Sequence, residues 1–253
     1  MKRNHNFDPD TDIGGPGRNF PETNVSAIAA VRSNQPQIRQ RAFDVILDNY
    51  WKPVYKYIRI KWNADNEDAK DLTQGFFANA FEKNHLANYD NSKASFQTFL
   101  RTCIDGYVAN QRKAEGRLKR GGGFDHLSLD FTDAENELVL HPPAPGLTPE
   151  EYFQREWIRN LFALSIQTLR QHCKASGNEI RFQLFERYDL DDSTEKTSYA
   201  SLAGEFKLTT TTVNNHLAAA RRDFRKLLLE RLKETTATDD EFRSQARELL
   251  GIE

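Results

Sequence analysis

Leucine, phenylalanine and alanine recur at intervals of three and four along most of this chain, and polar residues fill the opposite arc, the pattern of helices that bury one face. The clearest stripe is Val213, Leu217, Ala220, Phe224, Leu227 and Leu228. Just upstream, SYASLAGEFKL turns Leu202, Ala203 and Phe206 inward. Leu72, Phe76 and Ala80, flanked by Phe77 and Phe81, make another stripe, and Phe96, Phe99, Leu100, Cys103 and Tyr107 one more. A last short helix begins near Thr238, which precedes Glu241 at capping-box spacing, and carries Phe242, Ala246, Leu249 and Leu250. Strand-like alternation is absent, so the pattern predicts an all-α fold.

Two stretches interrupt the periodicity. Residues 1–22 are polar and rich in Gly, Pro and Asp, which predicts a mobile leader. RGGGFDHLSLDFTDAENELVLHPPAPG, Arg120 to Gly146, has three glycines at one end, prolines at the other and Asp125, Asp130, Asp133, Glu135 and Glu137 between. It reads as a flexible acidic linker. Thr148, Pro149 and Glu151 then announce a helix, as a capping box with proline at the first helical position. The expected organisation is a leader over 1–22, a helical domain over 23–120, the linker over 121–147, a second helical domain over 148–234 and a helical extension over 235–253. No internal repeat is evident.

Composition removes several function classes. The 253 residues are 38% hydrophobic with 17 Phe, enough for sizeable cores. With 28% charged residues and a formal net charge of -2, the chain has no global positive field, so any nucleic-acid contact must come from local patches. Cys103 and Cys173 are far apart and form no CxxC or CxxH, which argues for free thiols rather than a disulfide framework or a zinc site. No metal or other cofactor is expected. The N-terminus has no signal-peptide core and no run is long and apolar enough to span a membrane, so a cytoplasmic protein with no membrane partner is expected.

The stretch TTTTVNNHLAAARR, Thr209 to Arg222, has an unusual polar face. Thr210, Thr211, Asn214, Asn215, Ala218, Arg221, Arg222 and Arg225 lie opposite the apolar stripe. With the short helix upstream and a break near Lys207 and Leu208, the spacing is that of a helix-turn-helix, with Thr209 as the cap of the second helix. Small residues let such a helix approach a groove. Threonine and asparagine heads reach base edges and arginines further along hold phosphates, although a solvated face is the plainer reading of the same residues. His216 stands beside Leu217 and either touches DNA or caps the domain edge. Lys207 occupies the turn position that glycine usually fills, where a left-handed backbone costs on the order of a kcal/mol.

The first domain adds a resemblance. DAKDLTQGFF, Asp68 to Phe77, resembles the DAEDLxQxxF segment in region 2 of RNA polymerase sigma factors, in particular the extracytoplasmic-function (ECF) type. On a helix Asp68, Asp71 and Gln74 project together, and in the family that face docks on the clamp coiled coil of the polymerase β′ subunit. SFQTFLRTCIDGYVANQRKAEGRLKRGGG, Ser95 to Gly123, resembles the family's promoter-melting helix. Aromatics Phe96 and Phe99 beside Asn110, Arg112, Lys113 and Arg117 suit single-stranded DNA, where bases stack and phosphates pair, while aromatics at helical spacing also suit a core. The family's common pattern has an Arg-Asn pair where this chain has Asp105 and Gly106.

The resemblance covers residues 36–120 and 155–234 in the family's order, and looks like an expanded branch with a long linker and a C-terminal extension. It implies a non-catalytic initiation subunit whose partners are core polymerase, through the β′ clamp coiled coil and the β flap, and promoter DNA. The first domain would recognise and open the -10 region. The second would read the -35 element with Thr210, Thr211, Asn214, Asn215, His216, Arg221 and Arg222. The acidic linker matches the family's linker toward the RNA path, or is a plain spacer. An anti-sigma or other regulatory partner is left open. The alternative is a two-domain helix-turn-helix regulator that acts without polymerase. An enzyme such as a nuclease or deaminase is disfavoured, because the six histidines are scattered and no HxE, HExxH or CxxC occurs.

Overall fold

The computed structural model describes residues 26–115, 129–191 and 197–251, and every regular element among them is helical. The expected leader lies outside the described residues. The helices are α1 (Ala27–Ala30), α2 (Pro36–Lys61), α3 (Asn66–Glu82), α4 (Phe96–Glu115), α5 (Phe131–Leu140), α6 (Pro149–Ala175), α7 (Glu179–Phe185), α8 (Tyr199–Glu205), α9 (Thr210–Glu234) and α10 (Asp239–Leu250). A 3-10 turn, His85–Asn88, follows α3, and a π-helical turn, Glu186–Leu190, follows α7.

The helices gather into two compact units. One draws on the described residues of Asn24–Leu161 and Lys233–Phe242, the other on those of Phe162–Leu232 and Arg243–Glu253. The division after Leu161 thus falls inside α6 rather than in residues 121–147.

In the first unit α2 opens with Pro36, whose fixed φ suits a first helical position, and buries Phe43, Ile46, Tyr50, Val54 and Tyr57 at helical spacing. Pro53 sits inside α2 and has no N–H to give the carbonyl of Asn49, four residues back. That carbonyl accepts instead from the side-chain amide of Asn160 on α6, at 2.9 Å, and the same amide lies 3.1 Å from the carbonyl of Asp48. Asp65 caps α3 by accepting from the N–H of Asp68 at 2.9 Å. Asn63 (φ 46°) and Asn84 (φ 49°) follow the ends of α2 and α3 in left-handed conformations that asparagine tolerates. Rings fill the interior: Phe43 meets Phe77 and Phe81, and Tyr50 meets Phe96, Phe153 and Trp157. Thr235, Thr236 and Phe242 of the Lys233–Phe242 stretch are buried as well.

The α6 capping box forms as its spacing predicts: Glu151 N–H donates to the Thr148 hydroxyl at 3.2 Å, and Thr148 N–H donates back to the Glu151 carboxylate at 2.9 Å. Before α10 only half of the box is made. Glu241 N–H donates to Thr238, but the Glu241 carboxylate accepts from the N–H of Ala237.

The stretch expected to be a flexible acidic linker contains α5, and α5 lies on α2. Phe131 is buried between Trp51 and Tyr55, with ring centroids 5.5 and 5.2 Å apart, and Ala134 and Leu138 continue its apolar side. Burial of a phenyl side chain stabilises by about 1.5–3 kcal/mol. The acids expected to be solvated meet cations: Lys52 with Asp133 and Glu137, Lys56 with Glu137, and Arg59 with Glu135, all at 2.6 to 2.8 Å. Lys56 also reaches Glu156 of α6 at 2.5 Å, the two side chains being 1% and 3% exposed. Three carboxylates of the segment matched to three cations on one helix face are the physical reason the segment is not a free spacer.

The second unit packs Leu184 of α7, Leu202 and Ala203 of α8, and Val213 and Leu217 of α9 into one cluster. Ala220, Phe224 and Leu228 prolong the stripe of α9, and the Phe224 ring lies 5.7 Å from Phe162 and 5.6 Å from Phe185.

Candidate nucleic-acid interface

Helices α8 and α9 are joined by a turn closed by backbone hydrogen bonds and flanked by two side-chain caps. Ser198 caps α8, accepting from the N–H of Ser201 at 3.1 Å. At its other end the N–H of Lys207 donates to the carbonyl of Gly204 at 3.4 Å and that of Leu208 to the carbonyl of Ala203 at 2.9 Å, a Schellman closure. Lys207 holds the left-handed position with φ 56°, and Leu208 tucks against the apolar cluster. Thr209 then caps α9, accepting from the N–H of Thr212 at 3.1 Å. Three residues, Phe206 to Leu208, therefore separate the end of α8 from the cap of α9, and α9 starts at the surface.

The start of α9 is polar but uncharged. Thr210, Thr211 and Asn215 are exposed and Asn214 and His216 are half-buried. Among the described residues none of the side chains of Thr210, Thr211, Asn214 and Asn215 makes a hydrogen bond within the protein. From Thr209 to Ala220 there is no Asp, Glu, Lys or Arg in a chain that is 28% charged. Such a surface offers hydrogen-bond donors and acceptors of the kind that can pair with base edges. His216 is held below the ordinary imidazole range by burial and by the neighbouring Arg181 charge, so near neutral pH it also presents an uncharged ring.

Of the three arginines expected to hold phosphates, Arg221, Arg222 and Arg225, the first two part company. Arg222 is 75% exposed, its closest carboxylate being that of Asp223 at 3.9 Å. Arg221 is turned away from solvent and paired with Asp189, which corrects its placement on the outer face. One residue advances a helix by about 100°, and from Leu217 the step to Arg221 stays on the flank of the buried stripe.

In the first unit Asp68 and Asp71 of α3 are exposed and Gln74 is half-buried, so one helix side carries all three. At the end of α4 Asn110, Arg112 and Lys113 are exposed, and Arg117 lies outside the described residues. Arg112 donates to the carbonyl of Trp62 and its guanidinium lies over the Trp62 ring, 5.2 Å from the centroid. Phe96 is fully buried between Tyr50 and Tyr89, so the placing of this ring against DNA is corrected: it belongs to the core. Phe99 is half-buried at 5.4 Å from Tyr89.

A cleft of about 330 Å³ opens beside Asn110, between α3, the 3-10 turn and α4, lined by Asn79, Lys83, His85, Tyr107 and Gln111 among others. Asp105, which stands where the family pattern has arginine, accepts from Lys61 at 2.9 Å, from the Trp62 indole at 3.0 Å and from Tyr57 at 3.2 Å. Burial pushes the Tyr57 phenol up to about 12. Asp105 is thus committed inside the protein.

The cationic side of α2 was not legible as a site. Arg59 and its hydrogen bonds hold Glu135 below the ordinary carboxylate range against its burial; Glu137, pushed up by burial, is pulled below that range by Lys52 and Lys56. Spacing of Phe131, Ala134 and Leu138 at three and four was the one available signal that the acids had a partner surface.

Among the described residues no group of three or more His, Cys, Asp or Glu could hold a metal ion, and no helix is long and apolar enough to cross a membrane. Comparison of the chain with protein-family models, with curated proteins and with solved structures finds no match in any of the three.

Proposed function

We propose that the chain is a promoter-reading initiation subunit of the ECF sigma type, which binds core RNA polymerase through the Asp68, Asp71 and Gln74 side of α3 and reads duplex DNA with the start of α9. The observation that carries this reading is the helix-turn-helix whose second helix begins with four exposed or half-exposed hydroxyls and amides, none satisfied within the protein among the described residues. Arg112 and Lys113 at the end of α4, with the amide of Asn110 beside them, provide the local positive patch that a chain of net charge -2 needs to meet an opened strand.

Core polymerase decides the matter. The full chain should comigrate with core enzyme on size exclusion, and Asp71→Arg should abolish comigration with helicity unchanged. A chain that ignores core polymerase and yet shifts promoter-length duplex DNA alone would be a helix-turn-helix regulator. A chain that binds neither would end the proposal.

A further inference from the structure

Arg221 carries a cation into the interior of the second unit, where its carboxylate partner lies in the turn that precedes the helix-turn-helix. Its Nη2 lies 2.8 Å from Oδ1 of Asp189, and its Nε lies 3.2 and 3.1 Å from the two carboxylate oxygens. The side chains are 8% and 11% exposed. The guanidinium also stands 5.4 Å from the centre of the Tyr188 ring, and that ring packs at 4.9 Å against Tyr199, the first residue of α8. Asp189 and Tyr188 lie in the π-helical turn Glu186–Leu190. The same turn reaches the far end of α8 through Arg187, whose Nε is 3.7 Å from Glu205.

One short turn therefore touches both ends of α8 and, through Arg221, the middle of α9. We infer that Arg221 is a positioning residue and not a phosphate ligand: with Asp189 it clasps the π turn to the back of α9 and so fixes the angle at which α8 and α9 present the Thr210 to Asn215 face. Two physical facts favour this. A buried guanidinium without its carboxylate is strongly unfavourable, so the pair cannot open to lend the cation to DNA at small cost. The two-toothed grip also fixes direction as well as distance, which a single surface contact does not. Arg222, one residue on, is the exposed cation and takes the phosphate role.

The inference rests on the proposal that α9 reads DNA, and the test separates the two. Duplexes are selected from a random-sequence pool by the wild-type chain with core polymerase, and binding of the selected duplex is followed over a range of salt. Asp189→Asn should weaken binding on the order of tenfold and reduce discrimination against unselected sequences, with the salt dependence unchanged. Asp189→Glu, which keeps the carboxylate, should restore most of the loss while both variants remain folded by circular dichroism. Arg222→Ala should lower the salt slope by about one. If Arg221 were a phosphate ligand restrained by Asp189, Asp189→Asn would free it, and binding would tighten and its slope steepen by about one; that result overturns the clasp and leaves DNA reading intact. Equal losses in the Asn and Glu variants would also overturn it. A pool that shows no enrichment, with Arg222→Ala without effect, overturns the reading of α9 and the clasp with it. Should Asp189→Asn not fold, Arg221→Lys keeps the charge but loses the fork, and the same loss at constant slope is expected.

Discussion

Helices α5 and α9 both bury an apolar stripe and turn a polar face outward from it, yet the two polar faces have opposite fates. On α5 the face is made of carboxylates, and Lys52, Lys56 and Arg59 of α2 neutralise them inside one unit. On α9 the face is made of hydroxyls and amides and stays unsatisfied among the described residues. The charges of α5 are thus matched within the protein, while the hydroxyls and amides at the start of α9 have no partner among the described residues, which is what the proposed DNA contact builds on. A count of cations would have pointed to α2 as the nucleic-acid surface, but Lys52, Lys56 and Arg59 of α2 are engaged by α5 and Lys61 by Asp105 and Glu150.

The largest effect should come from breaking the α5 side. Lys56→Ala takes away the buried cation between Glu137 and Glu156, leaving only Lys52 for the first and Arg159 for the second, and should cost the first unit about 3–5 kcal/mol. Because Trp51, Trp62 and Trp157 are the only tryptophans and all lie in that unit, fluorescence during denaturation reads it selectively. A loss under about 1 kcal/mol would mean that the ion pairs are surface ornament. On the α9 side, Asn214→Ala and Asn215→Ala should leave thermal stability within about 0.5 kcal/mol, as surface changes do, and cost about 1–3 kcal/mol in preference for selected over scrambled duplex DNA. If either change lowers stability and leaves discrimination alone, the contrast between the two faces collapses. The smallest effect concerns how α9 is set. Lys207→Gly relieves the left-handed backbone at φ 56° and should stabilise the second unit by about 0.5–1 kcal/mol, seen as slower amide exchange in α8 and α9 with no change in the first unit.

Helical class, the turn at Lys207 and the α6 cap were legible because each is written locally: a period, a missing glycine, a Thr-Pro-x-Glu run. What escaped depended on contacts distant in sequence. The acids of α5 lie more than seventy residues from Lys52, Lys56 and Arg59, and the flanking glycines and prolines outweighed the Phe131, Ala134 and Leu138 spacing. Arg221 looked like an outward cation because its carboxylate sits 32 residues earlier, in a turn with no apolar pattern to betray it. Phe96 was read both ways, and the rings of Tyr50 and Tyr89 that enclose it come from elements with no marked periodic tie to α4. Of the candidate site, then, the exposed half of α9 and the side of α3 were readable in outline, whereas the separation of Arg221 from Arg222 required the fold.

Pro53 carries a consequence for descent. By withholding one N–H it leaves the Asn49 carbonyl for Asn160 to claim, 111 residues away. A sequence with a hydrogen-bonding residue at 53 would close the bond within α2, and the amide at 160 would then share an acceptor that it now holds alone. A sequence that lost Asn160 first would strand the carbonyl in a dry setting at a cost of about 1–3 kcal/mol. Neither half survives change well without the other, so selection acts on the two positions as a single inherited character. Among diverged copies of this chain, Pro53 and Asn160 should therefore vanish together, and their joint presence is a sharper mark of common ancestry than any stretch of the surrounding helices.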